Sequence, residues 1–158
     1  MAKRPAKNDS PTIENRKARH DYDIRETLEV GVELRGPEVK SIRDGRASIA
    51  EGYVRADDRR EELWLVGANI SEYPPAGQLQ HDPLRNRKLL AHKREIRKLL
   101  REVSQKGVAM VPLRMYFKEG RVKVLIGLGT GRRKADKRDL IDERETRRDL
   151  RRAVSKRV

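Results

Sequence analysis

Apolar and polar residues alternate from Tyr22 onwards and predict a long, half-buried strand. The apolar positions share one face and comprise Tyr22, Ile24, Leu28, Val30, Val32 and Leu34. The other face carries Asp23, Arg25, Thr27, Glu29 and Glu33, whereas Glu26 interrupts the alternation. Because successive side chains of a strand point to opposite faces of its sheet, Glu29 is predicted to be exposed, and we expect a bend at Gly31.

A helical period replaces this alternation between residues 82 and 105. Asp82 suits the N-cap, Pro83 suits the first turn, and Gly107 stands just beyond the predicted end. At about 100° per residue, the stripe predicted to face the core comprises Leu89, Ile96, Leu100 and Val103, with Leu99 at its edge. Basic residues off the stripe predict a cationic outer surface: Arg87, Lys88, Arg94, Arg97, Lys98 and Arg101.

Two residues, Leu90 and Glu29, each leave two interpretations open. Leu90 lies about 100° from Leu89, off the stripe and among basic residues. Either a neighbouring loop covers it, or it is an apolar contact inside a binding surface. Glu29 is either a solvated carboxylate or an acceptor for the hydroxyl and amino groups of a ligand.

Shorter runs complete the predicted fold: a short helix over 36–42, strands within 47–57 and 63–70, and a hairpin of 108–117 with 122–128. Pro112 predicts an edge or a bulge in its strand. Trp64 is assigned to core or strand packing rather than to a stacking platform. About six short strands with two to three helices predict a mainly β (α+β) fold, a closed antiparallel barrel of the oligonucleotide-binding (OB) type.

The composition indicates that the protein binds a polyanion. The 158 residues include 39 Lys and Arg against 25 Asp and Glu, a formal net charge of +14. The sequence contains no apolar run of membrane-spanning length, no signal-peptide pattern at its start and no Cys. We therefore expect a cytoplasmic protein that has no disulfides and does not act on a membrane.

The charge and the apolar content divide the chain into three parts. We expect a disordered arm over 1–14, a barrel domain over 15–130 and a basic tail over 131–158. The glycine-rich run 127–131 is interpreted as a flexible joint, because no nucleotide-site helix follows it. Residues 136–154 are good helix formers with few apolar positions, so we expect a tail that is disordered when free and becomes helical on a partner; the alternative is a permanently solvated extension.

No arrangement typical of catalysis is visible. The three histidines, His20, His81 and His92, lack metal-ligand spacing. We expect no enzyme activity, no cofactor and no metal; a small magnesium-dependent nuclease is the weakest alternative.

Six segments together resemble small protein B, the SsrA-binding protein family of bacteria. They are residues 15–22 (NRKARHDY), 36–43 (GPEVKSIR), 48–53 (SIAEGY), 67–70 (GANI), 82–95 (DPLRNRKLLAHKRE) and 136–138 (DKR). Each segment alone is weakly specific, but six in order at nearly the same spacing are specific. The resemblance implies an RNA-binding adaptor of trans-translation, one copy per tmRNA, which grips the tRNA-like domain of tmRNA (SsrA RNA) and enters stalled 70S ribosomes.

The resemblance also implies two sets of site residues. The set for tmRNA comprises Asn15, Arg16, Lys17, Arg19, His20, Tyr22, Glu29, Lys88, Leu90 and His92. The set for the tail, which occupies the decoding centre and mRNA channel of 16S rRNA as a helix, comprises Gly131, Arg132, Arg133, Lys134, Asp136, Lys137 and Arg138. Ala135 and Thr146 depart from the family, which often has an aromatic residue or His at the first position and Trp at the second. A ribosomal-protein-like rRNA binder is the alternative within the binding class.

Overall fold

The computed structural model describes residues 10–105, 107–132 and 134–156, and these form a mainly β fold with helices. The strands are β1 (Ile13–Glu14), β2 (Tyr22–Val32), β3 (Ala47–Ser48), β4 (Tyr53–Asp57), β5 (Glu62–Val66), β6 (Asn69–Ile70), β7 (Arg87–Leu90), β8 (Val108–Lys118) and β9 (Arg121–Gly131). The helices are α1 (Arg16–Asp21), α2 (Gly36–Arg43), α3 (Lys93–Val103) and α4 (Lys134–Lys156), with a 3-10 segment at Pro74–Leu79. The predicted α+β class is confirmed.

Seven strands form one antiparallel sheet in the order β1-β8-β9-β2-β7-β5-β4, and β3 pairs with β6 separately. The two ends of the sheet approach each other, because β4 contacts β8. No ladder joins β4 to β1 within the described residues, however, so the prediction of a closed barrel with about six strands is wrong for this part of the chain. Both edge strands are short, which limits the pairing they offer.

Register shifts interrupt both long strand pairs, one at the predicted Pro112 and one near Glu26, where no bulge was predicted; no shift is found at Gly31, where a bend was expected. The register of β2 against β9 shifts between Ile24 and Glu26, where the alternation of the sequence breaks. The register of β8 against β9 shifts between Pro112 and Arg114, as expected for a residue without a backbone N–H. Bulges of this kind bend a strand and increase its twist, which helps to bring the ends of the sheet together.

The helix predicted over 82–105 begins later than expected. Residues 87–90 form β7, which pairs with β2 on one side and β5 on the other, and α3 begins only at Lys93. Ladder hydrogen bonds on both sides outweigh the helix propensity of this segment. The apolar stripe is correct within α3, where Ile96 and Leu99 are buried; Leu89 is buried too, but as a strand residue.

Arg87 was predicted on a cationic outer surface and is instead fully buried. Its Nε donates to Glu38, Nη1 donates to the carbonyls of Ala68 (3.0 Å) and Arg85 (2.9 Å), and Nη2 donates to those of Pro83 (3.1 Å) and Asp82 (3.5 Å). All five donors of the guanidinium are therefore used. A buried charge is tolerated only with such complete pairing.

Glu38, on α2, is also fully buried and accepts hydrogen bonds from three residues. The donors are the side chains of Arg85 and Arg87 and the backbone N–H of Arg35, the last at 2.9 Å. Burial raises the pKa of the Glu38 carboxyl, but these hydrogen bonds outweigh it and the pKa lies below its ordinary value of 4.5. Glu38 is therefore an ionised tie between α2 and the central strand β7.

The glycine-rich run belongs to β9, so its interpretation as a flexible joint is wrong. Gly129 is buried, and a Cβ there would stand 2.2 Å from the backbone oxygen of Asp23. At Gly127 a Cβ would stand 2.8 Å from a side-chain carbon of Leu113. These glycines let β2 and β8 approach β9 closely.

The two predicted extensions differ in their structure. Residues 1–9 of the predicted arm lie outside the described residues, but Ile13 pairs with Met115, so the ordered domain begins before residue 15. The tail forms α4, whose side chains are exposed from Ile141 to Val154. None of the helices in the described ranges has the length and apolar character needed to cross a membrane.

We predict that Glu38→Gln lowers the free energy of unfolding by about 3–5 kcal/mol, because it leaves the buried charge of Arg87 without its counter-ion. Urea denaturation measures the loss. Arg97→Gln is the matched control: it removes the exposed Arg97–Glu61 pair (3.0 Å), and little or no loss is expected because solvent screens an exposed pair. Equal losses in the two variants would contradict the role of the buried pair.

The lowered pKa of Glu38 sets the sign of the pH dependence. A carboxyl with a depressed folded-state pKa contributes fully above its unfolded-state value of about 4.5 and loses the contribution as pH falls through the lower folded-state value. Stability should therefore fall with acidification below about pH 4.5, and less steeply in Glu38→Gln than in the unmodified chain.

Candidate nucleic-acid interface

An open groove of about 650 Å³ lies where β2, β5, β7, β9 and the start of α3 meet. Four of the predicted tmRNA residues line it: Glu29 from β2, Lys88 and Leu90 from β7, and His92 at the N-cap of α3. Far apart in sequence, they meet because β7 is inserted beside β2. We call this site the groove.

Leu90 is an exposed apolar side chain at the wall of the groove, with 52% of its surface accessible. Strand alternation explains this, because Arg87 and Leu89 point into the core while Lys88 and Leu90 point outward. Gly31 is opposite Leu90, and a Cβ there would stand 3.3 Å from Leu90 Cβ. The interpretation that a loop covers Leu90 is therefore wrong, and the apolar contact surface remains.

Glu29 is exposed as predicted, and neighbours from β8 hold its carboxylate. Tyr116 donates its hydroxyl to one oxygen, and Lys118 Nζ donates to the other at 3.1 Å. The hydrogen bond from Tyr116 is the largest influence that holds the pKa of Glu29 below its usual range, followed by that from Lys118. Burial, reinforced by the hydrogen bond to Glu29, raises the pKa of Tyr116 to about 12. Glu29 is thus ionised and oriented at neutral pH.

Sequence reasoning missed Tyr116 and Lys118 as partners of Glu29. Their only signal was their place on the outer face of β8, two residues apart. In the sheet, β9 lies between β8 and β2. The alternation of apolar and polar residues does not give the order of the strands, so it could not show that Tyr116 and Lys118 lie near Glu29.

Charges in the groove are balanced rather than uniformly positive. Its carboxylates are Glu29, Glu61, Glu62 and Glu95, and its cations are Arg60, Lys88, Lys93 and Lys123. Lys88 contacts Glu62 at 3.4 Å, whereas Lys93 and Lys123 form no ion pair within 4.0 Å among the described residues. Such a site offers hydrogen-bond acceptors and donors as well as charge, which suits riboses and base edges better than phosphates alone.

The second group of predicted residues lies on and around α1. Asn15 is buried: its amide donates to Ile49 O (3.1 Å) and Pro112 O (2.8 Å), and its Oδ1 accepts from Ala18 N (3.0 Å). A role for the Asn15 side chain as an RNA contact therefore conflicts with the structure. Asn15 is instead the N-cap of α1 and fixes the helix, a role for which Asn is a preferred residue.

The charged residues of α1 face outward. Arg16 and Arg19 are exposed, Lys17 pairs with Glu51 at 3.1 Å, and His20 lies 3.5 Å from Asp21. Tyr22 and Lys17 line a small cavity of about 220 Å³. These residues form a cationic rim around the start of the tail.

The tail begins beside α1. The Arg132 backbone N–H donates to Asp21 O at 2.8 Å, and Arg132 Nε donates to Tyr22 O at 3.3 Å. We define the tail-root patch as the adjoining cations Arg16, Lys17, Arg19 and Arg132. The patch and the groove lie towards opposite ends of β2, because seven residues from Tyr22 to Glu29 span roughly 23 Å.

The remaining tail residues are only partly described. Gly131 and Arg138 are exposed, and Arg133 lies outside the described residues. Lys134, Asp136 and Lys137 belong to α4, as does Ala135. Thr146 donates its hydroxyl to Asp142 O, four residues earlier, at 2.9 Å. The described residues contain no cluster of His, Asp and Glu suited to a metal ion.

A basic antiparallel sheet with an outward groove and a separate cationic patch is an arrangement suited to a folded polyanion. The family model described as SmpB protein matches residues 12–156, and this chain belongs to that family. The SsrA-binding proteins of Levilactobacillus brevis and Staphylococcus epidermidis are 49% and 45% identical to it, over 98% and 99% of each chain.

A solved structure from work on tmRNA-SmpB and the center of the bacterial ribosome resembles the fold. The TM-score is 0.67 at 45% sequence identity, and the match covers 84% of this chain and 95% of the solved one. At this identity the similarity extends beyond the fold to the family.

We predict that Tyr116→Phe raises the pKa of Glu29 towards its ordinary value, because the variant removes the strongest hydrogen bond to the carboxylate. A carboxyl-detected NMR titration measures the pKa. Tyr53→Phe, which changes a half-exposed tyrosine on β4, should leave it unaltered. An unchanged Glu29 pKa in Tyr116→Phe would show that Tyr116 does not hold the carboxylate.

Proposed function

We propose that this chain is an RNA-binding adaptor of trans-translation that binds the tRNA-like domain of tmRNA and brings it to stalled ribosomes in the cytoplasm. It has no catalytic role in this proposal. The observation that carries the proposal is the groove, where an exposed leucine, an oriented carboxylate and basic side chains converge. The family membership and the names of its relatives, SsrA-binding proteins, support the same partner.

The chemistry of the groove suits a tRNA-like fold. Folded RNA is recognised by shape, 2′-hydroxyls and unstacked bases rather than through its deep major groove. Glu29 would accept from a hydroxyl or amino group, Leu90 would pack on a base or sugar, and Lys88 would contact the backbone. His92, at the N-cap of α3, faces the same groove. The antiparallel sheet acts in this proposal as an OB-type binding surface.

The tail serves the ribosome rather than tmRNA in this proposal. Its described side chains between Ile141 and Val154 are exposed. Because its few apolar residues are not buried, their packing does not offset the conformational entropy that the tail loses when it becomes helical. We infer that α4 is stabilised when it lies along rRNA in the decoding centre and mRNA channel, where its basic residues replace counterions. The tail-root patch would then mark the side of the domain that faces the ribosome.

Leu90→Asp and Glu29→Arg should each weaken binding to the tRNA-like domain of tmRNA by about tenfold or more. Leu90→Asp buries an unpaired carboxylate against RNA, and Glu29→Arg reverses a charge that accepts hydrogen bonds. Fluorescence polarisation with labelled RNA measures the affinity. Leu79→Asp is the control, because Leu79 is 80% exposed but lies in the 3-10 segment away from the groove. Unchanged affinity in both groove variants would reject this surface.

A chain that ends at Gly131 should keep specific binding to the tRNA-like domain but lose tagging of peptides on stalled ribosomes. The groove lies wholly within residues 29–123, whereas the truncation removes α4. RNA affinity and tagging in a reconstituted translation system are measured side by side. Leu90→Asp in the full chain is the reciprocal control and should lose both. Loss of RNA affinity on truncation would contradict the proposal that the groove binds tmRNA while the tail acts only on the ribosome.

A further inference from the structure

A basic and aromatic row crosses the outer face of the sheet beside the groove. The register pairs Arg55 of β4 with Trp64 of β5, and Trp64 with Lys88 of β7. Leu63 and Leu65, on either side of Trp64, are fully buried, so alternation turns Trp64 to the outer face. Of the two predicted roles of Trp64, core packing is therefore wrong, whereas packing on the face of the strand stays a prediction for the covered part of its ring.

The Trp64 ring lies outside the core, and its neighbours cover it only in part. Trp64 is partly exposed and is absent from the apolar clusters of the core. Within the described residues, the cations stacked on rings are Lys40 on Tyr73 and Arg43 on Phe117, and Trp64 has no such partner. The part of the ring that stays exposed therefore faces outward between two cations, Arg55 and Lys88.

This row is continuous with the groove. Lys88 belongs to both, and it contacts Glu62, another groove residue, at 3.4 Å. Tyr53, 50% exposed, lies two residues from Arg55 on the same face of β4. An RNA strand that leaves the groove past Lys88 therefore meets an aromatic ring next, and then a second cation.

We propose that Trp64 is a stacking site for one unpaired nucleotide of the RNA bound in the groove, with Arg55 and Lys88 contacting the phosphates on either side. The inference rests on the proposed function and extends its site by one nucleotide. Stacking of bases on aromatic side chains between basic residues is how single-stranded segments are held without strict sequence preference. A tRNA-like RNA supplies such segments in its loops.

Trp64 is the only Trp of the chain, so its fluorescence reports on this site in the unmodified, full-length protein. The tRNA-like domain of tmRNA is titrated into the protein while affinity is measured independently by polarisation of labelled RNA. We expect Trp64 emission to be quenched with the same midpoint as binding, and its quenching by acrylamide to fall in the complex. Trp64→Ala should weaken binding by about fivefold or more, and Trp64→Phe should retain most of it. Leu79→Ala, which removes an exposed apolar side chain elsewhere, should bind as the unmodified chain does.

The outcomes separate this inference from the proposed function. If the RNA binds by polarisation but Trp64 emission stays constant and Trp64→Ala binds normally, the stacking site is overturned and the groove stands. If emission responds only to ribosomes and not to the RNA, the stacking site is likewise overturned. If no binding is seen by either measurement, the proposed function itself fails, and the inference with it.

Discussion

The carboxylate of Glu38 holds the guanidinium of Arg87 inside the protein, and the placement of β7 depends on that contact. Arg87 also binds the carbonyls of Ala68, Asp82, Pro83 and Arg85, so one side chain ties together α2, the loop before β7 and the turn after β5. The fully used donors make the charge tolerable in the interior. They also fix the register in which β7 enters the sheet.

That register decides which side chains reach the surface. With Arg87 and Leu89 inside, alternation sends Lys88 and Leu90 outward, next to Glu29 on the neighbouring strand. A shift of one residue would bury Lys88 and expose Arg87 and Leu89. The groove is therefore a consequence of the buried ion pair, and its exposed leucine is fixed by the same contact that stabilises the fold.

Charge is arranged differently on the two proposed binding surfaces. The groove mixes carboxylates with cations, and its central carboxylate is held by Tyr116 and Lys118. The tail-root patch presents Arg16, Arg19 and Arg132 beside the start of α4, and two of its four cations, Arg16 and Lys17, also contact the carboxylates of Glu14 and Glu51. The first arrangement suits recognition of hydroxyls and base edges, and the second suits contact with a phosphate backbone. In the proposed function, their separation along β2 would let one small domain contact two RNA surfaces.

The sequence by itself determined the antiparallel strands, the exposure of Glu29, the bulge at Pro112, the core-facing stripe of α3 and, through its family resemblance, the class of protein. These follow from local periodicity, or from motifs that keep their order. Tertiary structure decided that 87–90 is a strand and that Arg87 and Asn15 lie inside. Helix and strand patterns overlap over so short a run, and a basic or polar side chain is buried only where distant segments supply its hydrogen-bond partners. Those partners, Glu38 for Arg87 and the Ile49 and Pro112 carbonyls for Asn15, come from residues 34 to 97 positions away, which no local pattern encodes.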